Sequence, residues 1–297
     1  MKPQITHPRP ALLLSLLVTA CASAPAQNAP TYRERPPTAR TPAPPKQRTD
    51  PRLGEWVDHY VSGFGVNWGD AFAPHGYLIV AERGVPILER SYGSARPGRT
   101  SVYHVGSLSK QFTAAGILRL RDAGKLSLDA SVRRYLPSLP EAFQPVTLSH
   151  LLHHTAGVPD YTATPQLEAM MHQPTAPEKL LDLIVQQPLT FPPGTAYAYS
   201  NSNYLLLGLV IARVNGKPFA ESIQQLVLSP AGMTRSDFAG AKSATGELGY
   251  TVNERGVLER AEPDDASVSF AAGALQTSAS DLVKWDRALA EGVLLTP

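Results

Sequence analysis

Cysteine is almost absent: Cys21 is the only one in 297 residues. The chain can therefore form no internal disulfide. Long apolar runs are missing too. Ala11 to Ala20, ALLLSLLVTA, is apolar, but at ten residues it falls short of the roughly 20 that span a bilayer. Net charge is low at +2 and unevenly spread. Residues 1–50 hold seven basic and two acidic side chains, and residues 51–297 hold 20 basic and 23 acidic. The body is mildly acidic, so the basic pI gives no reason to expect nucleic-acid binding. There is no internal repeat, and low-complexity sequence is confined to the first 50 residues.

What is present begins with an export pattern. Lys2 and Arg9 precede the short apolar run with no acid between them, which reads as a secretory signal over residues 1–20. Two processing sites compete. Val18 to Cys21 (VTAC) resembles a bacterial lipobox, in which Cys21 is lipidated after cleavage, and Ala22-Ser23-Ala24 resembles an ordinary A-x-A site. Lipidation is favoured because the single cysteine stands where a lipobox requires one. Acyl chains on Cys21 would hold the protein on a membrane face. Ala22 fits outer-membrane sorting, so the expected location is the cell envelope, facing the periplasm. The alternative is a soluble periplasmic or secreted protein. Residues 21–50 carry seven prolines without helical or strand periodicity and read as a disordered tether. Residues 51–297 form the expected catalytic body.

In that body, Leu53, Trp56, Val57, Tyr60, Val61 and Phe64 follow the spacing of an amphipathic helix. Tyr77 to Gly93 reads as two strands around a Glu-Arg-Gly turn. A helix is expected from Leu108 to Arg121 with Gly124 as its stop, and a second buried helix from Asn203, stopped by Gly216 and Pro218. Ser278, with Asp281 three residues on, reads as an N-cap. Two early strands make no stable sheet on their own.

The segment His104 to Gly116, HVGSLSKQFTAAG, places Ser107 and Lys110 one helical turn apart among apolar residues. A serine hydroxyl is a poor nucleophile until a base takes its proton. Residues i and i+3 share a helix face, so Lys110 can reach Ser107. Burial pushes a lysine toward the neutral form that accepts a proton. S-x-x-K alone is weak, since about one is expected by chance at this length. The alternative makes Ser107 a helix cap and Lys110 a surface residue. Ninety-two residues downstream, Tyr199-Ser200-Asn201 supplies a second proton-handling hydroxyl and an amide that can hold substrate.

These motifs, with their flanks HVGSLSKQFTAAGILRLRDAGKLSLDASVRRYLPSLP, VTLSHLLHHTAGVPDY, FPPGTAYAYSNSNYLLLGLVIARVNGKPF and AAGALQTSASDLVKW, resemble the serine β-lactamase-related family. That family includes class C β-lactamases, D-Ala-D-Ala carboxypeptidases and related esterases. The resemblance covers Leu53 to Pro297. It implies an α/β (α+β) fold of the β-lactamase/transpeptidase type, with an antiparallel sheet flanked by helices and an all-helical subdomain. It implies Ser107 as the acylated nucleophile, Lys110 as its base, Tyr199 as second acid/base and Asn201 as a substrate-orienting group. The Ser107 backbone N–H would be one oxyanion donor. The family places the other beside a third motif, Lys or His, any residue, then Gly. No such triplet follows Asn201; Lys242-Ser243-Ala244 lacks the glycine. The expectation is that the chain stops before that motif and before the strands that complete the sheet. No metal or organic cofactor is implied.

His150, His153 and His154 have a spacing that could bind zinc, but the H-E-x-x-H glutamate is missing and a packing or capping role is favoured. His104 is expected to pack. The activity expected is hydrolysis of an amide or ester, with β-lactams, D-Ala peptides and small esters as candidates. The competing reading, favoured by the missing triplet, is an inactive envelope protein of the same fold that binds wall fragments or a partner.

The lipobox reading predicts that the mature protein sediments with membranes and that Cys21→Ser moves it to the soluble fraction. Equal partitioning of the two forms on cell fractionation would refute it.

Overall fold

The computed structural model describes residues 51–68, 75–82, 84–93, 97–238, 249–253, 255 and 257–295. The signal, Cys21, the tether and the Lys242-Ser243-Ala244 triplet lie outside them.

The first helix, α1 (Pro51–Trp68), bears out the amphipathic pattern but divides its apolar stripe. Gly54, Val57 and Val61 are buried, whereas Trp56 and Tyr60 lie on the outer face with their rings stacked 5.5 Å apart. Both partners are one turn apart, so the pair forms within the helix itself. A hairpin follows, β1 (Gly76–Glu82) against β2 (Val85–Tyr92), antiparallel and with a bulge between Val80 and Ala81. Gly84 turns the chain at φ 73°, a left-handed conformation that glycine adopts without strain. Asp58 of α1 accepts from Arg90 Nε at 3.0 Å and from Tyr92 Oη at 2.7 Å, which ties the helix to β2. Together these partners hold the Asp58 carboxyl below its usual range.

Strand β3 (Val102–His104) leads through a 3₁₀ turn at Gly106–Leu108 into α2 (Ser109–Asp122). The helix starts one residue later than the sequence reading places it, because Gly106–Leu108 takes the tighter turn. Its end is closed by Gly124 at φ 68°, with the Gly124 N–H on the Arg121 carbonyl and the Lys125 N–H on that of Leu120. The short helix α3 (Leu148–Leu152) is capped by Thr147 and the ring of His150. Next come α4 (Pro177–Val185), α5 (Asn201–Asn215) and α6 (Phe219–Ile223). Gly216 terminates α5 in the left-handed region, as its sequence position implies. Strands β4 (Tyr250–Val252) and β5 (Leu258–Arg260) pair with each other. Then α7 (Ala266–Gly273), β6 (Gln276–Ser278) and α8 (Ala279–Ala290) complete the described body. Ser278 caps α8 by accepting from the Asp281 N–H.

Among the described residues the antiparallel sheet expected from the sequence appears as three two-stranded ladders. The ladder that matters for the site joins β3 to β6, Val102 opposite Ser278. It clamps the start of α2 to the C-terminal segment. The apolar core is helical. Phe112, Ile117 and Leu120 of α2 meet Leu205, Leu206, Val210 and Ile211 of α5, all fully buried. Trp285 of α8 closes on Phe112 at 4.3 Å between rings.

Helix α7 lies close to α5 because Gly208 carries no side chain. A Cβ there would stand 2.4 Å from Ala271 Cβ and 2.8 Å from the Phe270 ring. At this approach α7 is kinked: Phe270 takes φ 38°, ψ −131°, a conformation that costs a non-glycine residue about 1–3 kcal/mol. The kinked segment turns two carbonyls toward α2, with Thr113 Oγ1 donating to Ala271 O and Lys110 Nζ to Ala272 O, both at 2.8 Å.

Gly208→Ala is therefore expected to force α5 and α7 apart, costing about 1–3 kcal/mol and lowering Tm in a calorimetric scan. An unchanged Tm would mean that the close approach carries no constraint.

Candidate active site

Gly106 enters the turn before α2 at φ 52°. The two serines that follow have different surroundings. Ser109 is fully buried and its Oγ accepts from the Leu275 N–H at 3.0 Å. Ser107 is exposed, at the open end of the turn. Lys110, the second residue of α2, is buried behind it with Nζ 3.1 Å from Ser107 Oγ. From the other side, Tyr199 Oη lies 2.7 Å from the same Oγ. The loop before α5 thus brings a residue 92 positions away onto the serine.

His154 holds that loop in place. Its carbonyl accepts from the Ala198 N–H at 3.0 Å and its Nδ1 from the Ser200 N–H at 3.1 Å. Its ring stacks on Tyr199 at 4.5 Å. A nitrogen that accepts a backbone N–H carries no proton, so this imidazole is the neutral Nε2–H tautomer. Burial, and then the charge of Lys110, push its pKa down to about 4. His154 itself sits at φ 58°, strain that marks a position fixed by its surroundings. His150 and His153 turn elsewhere, the first to the Thr147 N–H and the second to the Ser149 carbonyl. Among the described residues no cluster of His, Cys, Asp and Glu could hold a metal ion. His104 lies against the Gln276 amide at 2.7 Å.

Lys110 has three oxygen neighbours: Ser107 Oγ, Asn201 Oδ1 at 2.8 Å and Ala272 O at 2.8 Å. An ammonium donates to all three. A neutral amine has two hydrogens and one lone pair. Asn201 Oδ1 and the Ala272 carbonyl can only accept, so they take the two hydrogens. The lone pair is then left facing Ser107 Oγ. Burial pushes the amine down to about 8, against the opposing pull of Asp160. Nζ also lies 4.9 Å from the Tyr199 ring centre and 5.6 Å from that of Tyr204, contacts that favour the charged form. Tyr199 moves the other way: burial raises its pKa, with the Ser107 hydrogen bond opposing. The pair is thus a lysine that loses its proton easily and a phenol that keeps it.

Asn201, the first residue of α5, has both ends of its amide engaged. Oδ1 faces Lys110, and Nδ2 donates to Asp160 Oδ2 at 3.0 Å and Thr162 Oγ1 at 3.2 Å. One Oδ1 lone pair remains for a substrate N–H. The structure therefore brings Ser107, Lys110, Tyr199 and Asn201 into one hydrogen-bonded cluster. Cys21 lies outside the described residues. Sequence reasoning missed the Ala272 carbonyl, Asp160 and Thr162, and it gave His154 a packing or capping role. A backbone carbonyl leaves no mark in sequence, and Asp160 before Tyr161 reads only as a turn residue.

Residues 65–297 match the family described as Beta-lactamase. The chain is 34% identical over 176 residues to a penicillin-binding protein of Bacillus subtilis, covering 57% of this chain and 39% of that protein. It is 29% identical over 229 residues to a D-aminopeptidase of Gluconobacter oxydans, covering 73% of this chain and 42% of the other. The crystal structure of a penicillin binding protein from Bacillus halodurans superposes with a TM-score of 0.65 at 28% identity, over 80% of this chain and 74% of that one. The chain spans about two fifths of the length of these two curated relatives.

The Lys110 amine is expected to titrate near pH 8, charged below and neutral above, when followed by NMR of its side-chain Cε. A midpoint near the ordinary lysine value of about 10.4 would contradict the burial argument.

Proposed function

The chain belongs to the β-lactamase family, and we propose that it is the catalytic body of a serine hydrolase that cleaves an amide or ester through an acyl-enzyme on Ser107. One observation carries this reading: Lys110 Nζ stands 3.1 Å from Ser107 Oγ while two acceptor-only oxygens claim its hydrogens.

In the proposed reaction the neutral Lys110 amine takes the Ser107 proton as Oγ attacks the substrate carbonyl carbon. The Oγ–C bond forms and the carbonyl electron pair moves onto oxygen. The Ser107 backbone N–H faces that oxygen, as the family resemblance implies, and the start of α2 adds positive potential. When the tetrahedral species collapses, the bond to the leaving nitrogen or oxygen breaks, and that atom takes its proton from Tyr199 or Lys110. Tyr199 suits this step because its raised pKa keeps it protonated. Water then attacks the acyl carbonyl with the same groups acting in reverse, which releases the acid and restores Ser107. Asn201 accepts the substrate amide N–H on its free lone pair.

The candidate substrates are a β-lactam, a D-Ala peptide and a small ester; relatives named as a penicillin-binding protein and a D-aminopeptidase support an amide substrate. The protein is exported and held by a lipidated Cys21 to the outer membrane, facing the periplasm. No nucleic acid takes part.

A fluorophosphonate or fluorescent penicillin probe is expected to label the protein covalently at Ser107, as mapped by peptide mass spectrometry. Ser107→Ala abolishes labelling. Lys110→Ala slows it by about 100- to 10,000-fold, the usual contribution of a general base. No label on a folded wild-type protein, or a label that survives Ser107→Ala, would overturn the acyl-enzyme reading.

A further inference from the structure

Behind the serine–lysine–tyrosine cluster stands a carboxylate that none of the three motifs contains. Asp160 precedes the 3₁₀ turn Tyr161–Ala163 and caps it, Oδ1 accepting from the Thr162 N–H at 3.0 Å. Its Oδ2 accepts from Asn201 Nδ2 at 3.0 Å. The loop is fixed on both sides of it by one buried hydroxyl: Ser202 Oγ donates to the Pro159 carbonyl at 2.6 Å and accepts from the Tyr161 N–H at 2.9 Å. Ser202 is the neighbour of Asn201 on α5. The Tyr161 phenol is anchored in turn to the Val268 carbonyl at 2.8 Å. Asp160 is thus set against Asn201 by contacts that do not depend on substrate.

An asparagine amide can turn about its last bond and exchange oxygen for nitrogen. Here the exchange would set Asn201 Oδ1 against the carboxylate, which is repulsive, and would remove one of the two acceptors from the lysine amine. A carboxylate only accepts, so Asp160 permits one orientation, the one that presents Oδ1 to Lys110. Without that acceptor the amine has one hydrogen unassigned and its lone pair is no longer aimed. We propose that Asp160 is a positioning residue for acylation, acting through the Asn201 amide to aim the Lys110 amine at Ser107; the proposal rests on the acyl-enzyme reading above.

Asp160 also differs in charge from the other groups around the lysine. Those are Tyr199 from the loop before α5, Tyr204 from α5, His154 from the turn after α3 and Tyr161 beside Asp160 itself. The tyrosines keep their protons, held by burial above their ordinary pKa, and His154 is neutral. From α7 comes only the Ala272 carbonyl. Among these groups Asp160 is the carboxylate, and it pulls the Lys110 pKa up against burial, so its removal should ease the loss of the lysine proton.

The experiment uses Asp160→Asn, close to the original in shape, and Asp160→Ala, each alone and combined with Asn201→Ala. The acylation rate with the fluorophosphonate probe is measured on its high-pH plateau, and the Lys110 midpoint by side-chain NMR. The expected result is a lower Lys110 midpoint in both single variants. Asp160→Ala should also lower the plateau rate by about 10- to 100-fold, but by less than about 3-fold when Asn201 is already alanine, because the two residues act in series. An unmoved midpoint, or the same loss of rate in both backgrounds, would overturn the proposal and leave Asp160 a loop cap. A wild-type protein that resists the probe, with a midpoint that still falls in Asp160→Asn, would refute the acyl-enzyme reading and support the linkage from Asp160 to Lys110.

Discussion

The buried amine of Lys110 is the constraint on which the rest of the site depends. An ammonium loses hydration when buried, and the protein replaces only part of it. Two acceptors, Asn201 Oδ1 and Ala272 O, come from elements far apart in sequence. The third neighbour is a hydroxyl that can donate as well as accept. This mixture separates a structural lysine from a proton acceptor. Three fixed acceptors would hold the proton, whereas two acceptors and a hydroxyl leave room for the proton to leave. Burial brings the amine down to about 8, close enough to neutrality for both forms to be populated.

The fold can be understood as the means of bringing those oxygens together. The 3₁₀ turn before α2 carries the serine and α2 the lysine, α5 and its preceding loop carry Asn201 and Tyr199, and α7 supplies a carbonyl. Their closeness requires a glycine at position 208 and a strained Phe270. The β3–β6 ladder and the bond from the Leu275 N–H to Ser109 Oγ fix the same assembly from the opposite side. His154, in its own strained conformation, sets the Tyr199 loop. Two non-glycine residues with positive φ are found among the described residues, and both lie beside this cluster. Strain of this kind persists where surrounding contacts outweigh it.

Much of the local structure was legible in the residues. The stops at Gly124 and Gly216, the cap at Ser278 and the hairpin near Gly84 follow from backbone rules that act over a few positions. The helix α1 was legible as an element but its buried face less so. Periodicity groups Trp56 with Val57, while packing buries only the valine. The start of α2 was displaced by one residue because a 3₁₀ turn and an α-turn share the same sequence signals.

The sequence by itself determined the cast of the site and its spacing along the chain. Ser107 and Lys110 fall one turn apart by helical geometry, and the motif containing Tyr199 and Asn201 stands out at the head of an apolar helix. Only the tertiary structure decided what holds them. The Ala272 carbonyl is a backbone atom and exists in every residue, so its role depends on where α7 bends. Asp160 lies 41 residues from the amide it orients, and no local rule links the two. Hydrogen bonds between distant elements are chosen by packing, which a one-dimensional pattern does not contain.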